Sequence, residues 1–483
     1  MAQAEREQLS VVMFPWLAHG HINPYLELAR RLTSGDHGGA DMDVVVHLVS
    51  TPINLASIAH SQTDKIHLVE LHLPSLPDLP PSLHTTKHLP AHLMPTLKRA
   101  CDLAAPRFGA LLDDLRPDVL LYDFLQPWAP LEAAARGVPA THFSTCSAAA
   151  TAFFVHCLGG DGDGAPRAFP FESIGLGTAE EEAKYTELFV MREDPNALVS
   201  ERDRLLLSLA RSSGFVAVKT CAEMERRYMD YLSELLGGKE IIPCGPLLVD
   251  SGDPPRQRTA AADESERVMR WLDGQEPGSV VLVSFGSEYF MSEHQIEQMA
   301  RGLELSGERF VWVVRFPKNA GDEDDEQRGG AAPARALPRG FAAGARGLVV
   351  EGWAPQRRVL GHGSCGAFVT HCGWSSVMES LAAGVPMVAL PLHIDQPLGA
   401  NLAAELGAAV RVPQERFGEF RAEDVARAVR AVVRGEEGKA LRLRAGELRE
   451  VVARNDADDA LVGNLVRRMA RLCGKGQRVA QSN

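Results

Sequence analysis

The sequence predicts an α/β protein built of two doubly wound parallel-sheet domains. Short β-branched and aliphatic runs alternate with longer helical patterns along most of the chain. These runs are apolar throughout rather than alternating apolar and polar, which marks parallel strands covered by helices on both faces. They fall into two sets on either side of DSGDPPRQRTAAADESER, residues 250–267, a stretch rich in proline, charge and small side chains. The expected division is a first domain over 1–249, a linker over 250–265 and a second domain over 266–456, followed by an amphipathic helix within 457–483.

In chain order, the strands of the first domain are expected at 10–16, 43–50, 65–73, 117–125 and 139–144. Those of the second are expected at 279–287, 309–316, 347–353, 365–371, 386–392 and 408–412. The charged stretch 318–336 follows a strand and is expected to be an exposed loop. Open parallel sheets bind ligands beyond the carboxyl ends of their strands, so the default site is a cleft where two such sheets face each other.

Composition excludes several classes. The chain has 483 residues, 45% hydrophobic and 23% charged, as in an ordinary soluble globular protein. Its formal net charge is −13, with no strong basic run, so neither nucleic acid nor an anionic membrane surface is expected as a partner. The start, MAQAEREQLS, is polar and leads directly into a strand, so no secretory signal is expected. Eight cysteines are scattered without a CxxC pair, which points to buried thiols in a reducing compartment, the cytosol. PWLAHGHINPYLELARRL, after the first strand, lacks G-x-G-x-x-G, which argues against NAD or FAD there.

The densest chemistry lies in THCGWSSVMESLAAG, residues 370–384, a strand end followed by a helix. Ser375 and Ser376 stand where N-cap side chains belong, and Glu379 is expected near the first turn, where it suits the helix dipole. A well-capped helix explains that much. A helix N-terminus after a parallel strand is also an anion site, with Gly373 permitting close approach and His371 adding a donor. Glu379 suits a pair of ribose hydroxyls. A zinc site is not expected, because adjacent His371 and Cys372 point to opposite faces of a strand.

The stretch Trp353–Gln396, with WAPQ, HCGW, ES and DQ at its landmarks, resembles the 44-residue signature box of the plant family 1 UDP-sugar glycosyltransferases. The resemblance extends over most of the chain, including GHINP, YDF at 122–124 and FGS at 285–287. It implies the GT-B fold of two facing Rossmann-like domains, with the last helix crossing back to the first. It implies donor contacts for each matching residue. Trp353 resembles the tryptophan that stacks on uracil, with Ala354 and Gln356 at the base edge or ribose. His371, Trp374, Ser375 and Ser376 match the diphosphate and sugar contacts, and Gly373 the close approach. Glu379 matches the ribose ligand, Asp395 and Gln396 the sugar-hydroxyl pair, and Ser287 a loop serine near the diphosphate. Ser375 departs from the family's usual Asn. His21 of GHINP resembles the general base and Asp123 the acid that orients it. His19 reads as a residue of the cleft wall.

The implied reaction is metal-free inversion, turning an α-linked UDP-sugar into a β-glycoside. The acidic run 322–326 contains Asp-x-Asp spacing but reads as a solvated loop. Gln396 at the end of the box resembles members that use glucose. The first-domain loops resemble the branch that extends existing sugars, as the β-1,6-glucosyltransferases of crocetin glucosyl esters do. For such an acceptor, His84, His88 and His92 with Thr85, Thr86 and Lys87 offer polar groups, alongside His19 and His393. A solvated, proline-punctuated loop accounts equally for residues 75–97. The alternatives are a phenolic aglycone such as a flavonoid as acceptor, or a catalytically silent UDP-sugar-binding protein. A hydrolase is disfavoured, because no nucleophile elbow or close carboxylate pair is present. A monomer with no cofactor beyond the UDP-sugar is expected.

Overall fold

The computed structural model describes residues 7–34, 42–87, 89–159, 167–189, 197–248, 260–286, 289–315, 337–338, 341, 344–416 and 418–475. It divides into two compact units, Met1–Val249 with Arg454–Asn483, and Asp250–Ala453.

The first unit holds seven parallel strands: β1 (Glu7–Phe14), β2 (Met42–Ser50), β3 (Ile66–Glu70), β4 (Val119–Tyr122), β5 (Ala140–Ser144), β6 (Phe215–Val218) and β7 (Glu240–Pro243). Their order across the sheet is β3-β2-β1-β4-β5-β6-β7, with Val11 in register with Val46 on one side and Val119 on the other. The second unit has β8 (Val280–Ser284), β9 (Arg309–Val314), β10 (Gly347–Glu351), β11 (Cys365–Thr370), β12 (Met387–Ala389) and β13 (Ala409–Arg411), in the order β10-β9-β8-β11-β12-β13. In each sheet the order reverses between the first strand and its later neighbour, at β1/β4 and at β8/β11. Successive helices leave in opposite directions there and open a crevice beyond the strand ends.

Burial follows from this layering. Alternate residues of one strand serve opposite faces, so Val11 and Met13 join one hydrophobic cluster while Val12 and Phe14 join another. The helix His19–Thr33 buries Ile22, Tyr25, Leu26, Ala29 and Leu32, a three-to-four spacing that lays one stripe on the sheet.

The two strands missing from the expectation are β6 and β7. Each is four residues long, and β7 sits at the sheet edge with Pro243 at its end, where a missing N–H costs little. Length is not the reason, since β4 is as short and β12 and β13 are shorter; β7 reads EIIP, with a charge and a proline around two isoleucines. The helix Ala260–Asp273 begins inside the stretch expected as linker, because its apolar face starts only at Val268. Residues 250–259 and the 322–326 run lie outside the described residues.

The helix Asp459–Leu472 packs on the first unit. Val462, Leu465, Val466 and Met469 join the β1 and β2 cluster. Each buried side chain is worth about 1.5–3 kcal/mol, against about 0–1 kcal/mol for an exposed ion pair such as Arg468–Glu240. Burial therefore decides where this helix goes, and the ion pairs add register. Among the described residues no helix is long and apolar enough to cross a membrane.

Candidate functional site

Each unit carries a polar constellation at its switch point. In the first, β1 ends at Phe14 and β4 at Tyr122, and the residues just beyond meet. His21, in the first turn of His19–Thr33, places Nδ1 2.7 Å from Asp123 Oδ2. Trp16 N–H donates to the same oxygen at 3.0 Å, and Phe124 N–H donates to Oδ1 at 2.8 Å. Asp123 is 0% exposed. Burial alone would push its carboxyl up. The His21 charge and hydrogen bond, the Trp16 N–H and the nearby His142 outweigh that and hold its pKa below the ordinary carboxylate value. The buried group is thus a carboxylate, and the Nδ1 nitrogen that faces it carries the proton. Nε2 of His21 is left as an acceptor, the form a general base needs. The Phe124 ring lies 5.5 Å from the imidazole, and Thr145 Oγ1 lies 2.9 Å from Nδ1. Thr145 was not singled out from sequence, since a threonine after a strand carries no signal by itself.

His142, on β5, is also new. It is 1% exposed, its Nδ1 has no partner, and its ring stands edge-on to Tyr122 at 5.6 Å. Burial pushes its pKa down to about 4; Asp123 opposes the shift, and Lys239 and His21 add to it. An unfolded histidine takes its proton near pH ~6.5. Between that pH and about 4 the unfolded chain is protonated at this position while the folded chain is not. Stability is therefore full above the upper limit and falls as pH drops through the window, by about 3 kcal/mol for this ring. Thermal denaturation at pH 7 and pH 4.5 is expected to show a smaller loss for His142→Phe than for the natural chain. Equal losses would remove the buried ring as the cause.

In the second unit, β11 ends at Thr370, and His371 and Cys372 lead into the helix Trp374–Ala383. Cys372 takes φ of 63°, which turns the chain sharply, and its thiol is buried. The N-cap is Gly373, without a side-chain cap. Ser375 and Ser376 are therefore the second and third helical residues rather than N-caps, and Glu379 lies in the second turn rather than the first. The cap is glycine because β-carbons here have no room: one at Gly373 would meet His371 Nε2 at 2.8 Å. Gly286, just past β8, is also close to this ring, where a β-carbon would lie 2.9 Å from Nε2. Two glycine backbones thus lie close to the Nε2 edge of the imidazole. Burial, with His393 adding, pushes its pKa down to about 4, so it is a neutral donor. Its Nδ1 is buried with no partner. A helix N-terminus beside an orphaned imidazole nitrogen is suited to an anion.

Around it, Gln356 Nε2 donates to Glu379 Oε2 at 2.8 Å and lies 3.3 Å from Ser376 Oγ. These three residues, from two helices, form one acceptor-rich patch. Trp353 stands 53% exposed, a free indole face, while Ala354 and Trp374 are buried. Asp395 caps the helix Gln396–Glu405 by position, without a side-chain cap bond. Gln396 Oε1 accepts from Leu392 N–H and His393 N–H, both at 2.8 Å. Its carbonyl therefore holds the loop, and its amide N–H₂ remains for a ligand. His393 is exposed, 6.4 Å from the Tyr289 ring. Ser287 lies outside the described residues. Among the described residues, no three His, Cys, Asp or Glu side chains converge as a metal-binding set.

The first-unit loop corrects an expectation. His84, Thr85 and Thr86 are buried, not displayed. Thr51 Oγ1 donates to the His84 carbonyl at 2.6 Å, and Thr86 N–H donates to the Leu17 carbonyl. Backbone groups of His84 and Thr86 thus tie the loop near the ends of β1 and β2, while Thr85 Oγ1 accepts from Lys87 N–H and the buried His84 Nε2 has no partner. Lys87 and His92 are exposed, His19 is half-buried at the start of its helix, and His88 lies outside the described residues.

Residues 7–248 match the family model described as glycosyltransferase, N-terminal domain, and residues 259–448 match UDP-glucoronosyl and UDP-glucosyl transferase. The chain is 38% identical to UDP-glucosyltransferase 29 of Panax ginseng, over 97% of this chain and 98% of that one. It is 41% identical to the beta-D-glucosyl crocetin beta-1,6-glucosyltransferase of Gardenia jasminoides, over 86% and 89%. Its fold is similar to that of a Polygonum tinctorium UDP-glucosyltransferase capable of glucosylating indoxyl, with a TM-score of 0.76, 25% identity, and coverage of 98% of this chain and 100% of that one.

Proposed function

Because the chain belongs to the plant family 1 UDP-glycosyltransferases, we propose that it transfers glucose from UDP-glucose, with inversion, to a sugar hydroxyl of a small-molecule glycoside. The product is a β-linked sugar chain, 1,6-linked by analogy with the Gardenia jasminoides relative. The observation that carries the transferase reading is the His21–Asp123 pair: an imidazole whose Nδ1 is held by a buried carboxylate, the orientation a general base needs.

The acceptor hydroxyl is a poor nucleophile at neutral pH. His21 takes its proton as the oxygen attacks the anomeric carbon, a contribution of about 10²–10⁴-fold. Asp123 holds the tautomer and stabilises the imidazolium. The bond from the anomeric carbon to the diphosphate oxygen breaks, and its electron pair leaves with UDP. The first N–H groups of Trp374–Ala383 and the neutral His371 stabilise that charge. Trp353 offers a face for uracil, and Glu379 with Gln356 offers acceptors and a donor to the ribose. Attack opposite the leaving group gives the β-anomer from an α-linked donor. These groups account for the leaving charge without a metal ion. The enzyme works as a monomer in the cytosol.

The test pairs glucosides with their own aglycones, with UDP-glucose as donor and mass spectrometry as readout. Glucosides are expected to gain one hexose, with and without EDTA, while the aglycones stay unmodified. Transfer to aglycones alone, a phenolic flavonoid for example, would replace the glycoside reading. Activity lost to EDTA and restored by Mg²⁺ would end the metal-free one. UDP binding without any product would mark a silent binder.

A further inference from the structure

The carboxylate that orients His21 stands at the head of a loop, Asp123–Trp128, with no regular structure of its own. Loops of this kind are mobile unless their backbone is tied down. Here the ties come from one helix, Glu201–Ala210, and the residue that follows it. Ser208 Oγ donates to the Phe124 carbonyl at 2.8 Å, Arg204 Nη1 to the Leu125 carbonyl at 3.1 Å, and Arg211 Nη1 to the Pro127 carbonyl at 2.6 Å. The Gln126 carbonyl accepts from Ala129 N–H. All four carbonyls from 124 to 127 are thus engaged, three of them by side chains from Ser208, Arg204 and Arg211.

The grip is reciprocal. Tyr122, the last residue of β4, donates its hydroxyl to the Ser208 carbonyl at 2.5 Å. Arg204, 2% exposed, is held by Asp102 through two bonds of 2.8 and 2.5 Å, and Asp102 also accepts from Trp128 Nε1 at 3.0 Å. A shift of this helix would carry Phe124 with it. Phe124 supplies the N–H on Asp123 Oδ1 and the ring beside His21.

We propose that the helix Glu201–Ala210, through Ser208, Arg204 and Arg211, is the positioning element that holds Asp123 and Phe124 in register with His21 for the transfer step. The proposal rests on the reading of His21 as base and Asp123 as its orienter. Ser208, Arg204 and Arg211 touch no reacting atom and act through the loop.

Arg204→Ala leaves Asp102 buried without its partner, which is expected to destabilise the fold itself. Ser208→Ala is the sharper probe, because it deletes one hydroxyl and leaves the Tyr122 bond to the backbone in place. Its kcat is expected to fall about 10-fold, in line with small misplacements of a reacting geometry, while the affinity for UDP is unchanged. Ser208→Thr, which keeps the hydroxyl, is expected to recover most of the loss. Lys98→Met removes the Lys98–Glu201 ion pair at the other end of the same helix, and its kcat is expected to stay unchanged. His21→Ala is measured alongside. Loss of transfer in His21→Ala with full kcat in Ser208→Ala overturns the positioning role alone. So does a kcat that falls equally in Ser208→Ala and Lys98→Met in step with Tm. Retained transfer in His21→Ala overturns the base assignment, and this proposal with it.

Discussion

Replacing His21 by alanine is expected to remove transfer almost completely while UDP still binds. The imidazole lies in the first unit, and the groups suited to the diphosphate lie in the second, after β8 and β11. Loss of the base forces the acceptor hydroxyl to attack without proton transfer, a loss of about 10²–10⁴-fold in kcat. Asp123→Asn is expected to be nearly as damaging, for a different reason. The asparagine keeps its oxygen for the Phe124 N–H, but its amide nitrogen then takes the place of the oxygen that accepts from both Trp16 and His21, and offers a donor where they need an acceptor. The imidazole then favours the tautomer with the proton on Nε2, where the base should be free. Steady-state kinetics and calorimetry with UDP separate the two effects. Loss of UDP binding in His21→Ala would place that residue in the donor site instead.

Gly286→Ala is expected to weaken UDP binding by about 10–100-fold, the worth of a hydrogen bond to a charged group. Gly286 has φ of 74°, a conformation that costs an L-residue about 1–2 kcal/mol before any contact is counted. Its added β-carbon would lie 2.9 Å from His371 Nε2 and Cε1. The Gly373 backbone lies close to the same Nε2 edge of the ring, which leaves little space there for a shift. Something there must move, and the imidazole is the group aimed at the anion. Gly446→Ala is the control: a β-carbon there meets nothing within 4 Å, so calorimetry should show natural affinity. Unchanged UDP binding in Gly286→Ala would mean that His371 does not contact the diphosphate.

Much of this protein is legible along the chain. Eleven of the strand segments are visible as mainly apolar runs, because a parallel strand covered on both faces has little room for polar residues. The two it misses are β6 and β7; β7 reads EIIP, its two isoleucines flanked by a glutamate and a proline. In the second unit the donor constellation is legible because it is local: His371, Gly373 and Glu379 fall within one strand-to-helix junction. The details of that junction are not legible. Serines at 375 and 376 fit an N-cap preference, yet the capping position goes to Gly373, since steric access to His371 overrides a side-chain cap. The polar residues at 84–86 mislead in the opposite way. Their type suggests display, but the loop backbone is tied down there, the His84 carbonyl to Thr51 and the Thr86 N–H to Leu17, and all three residues are buried.

The sequence by itself determined the two-sheet architecture and marked the strand-to-helix junction at 370–384 and the GHINP stretch as candidate sites, because each is written in residues a few positions apart. Only the tertiary structure decided which distant residues meet. Strand order places β4 beside β1, so that Asp123 reaches His21, and β8 beside β11, so that Gly286 closes on His371. It also seals His142 neutral beneath the carboxylate and sets the Glu201–Ala210 helix on the loop after Asp123. The physical reason is that pairing of parallel strands and burial are long-range choices. They depend on which apolar faces find one another in the folded chain, and no short window of residues carries that information.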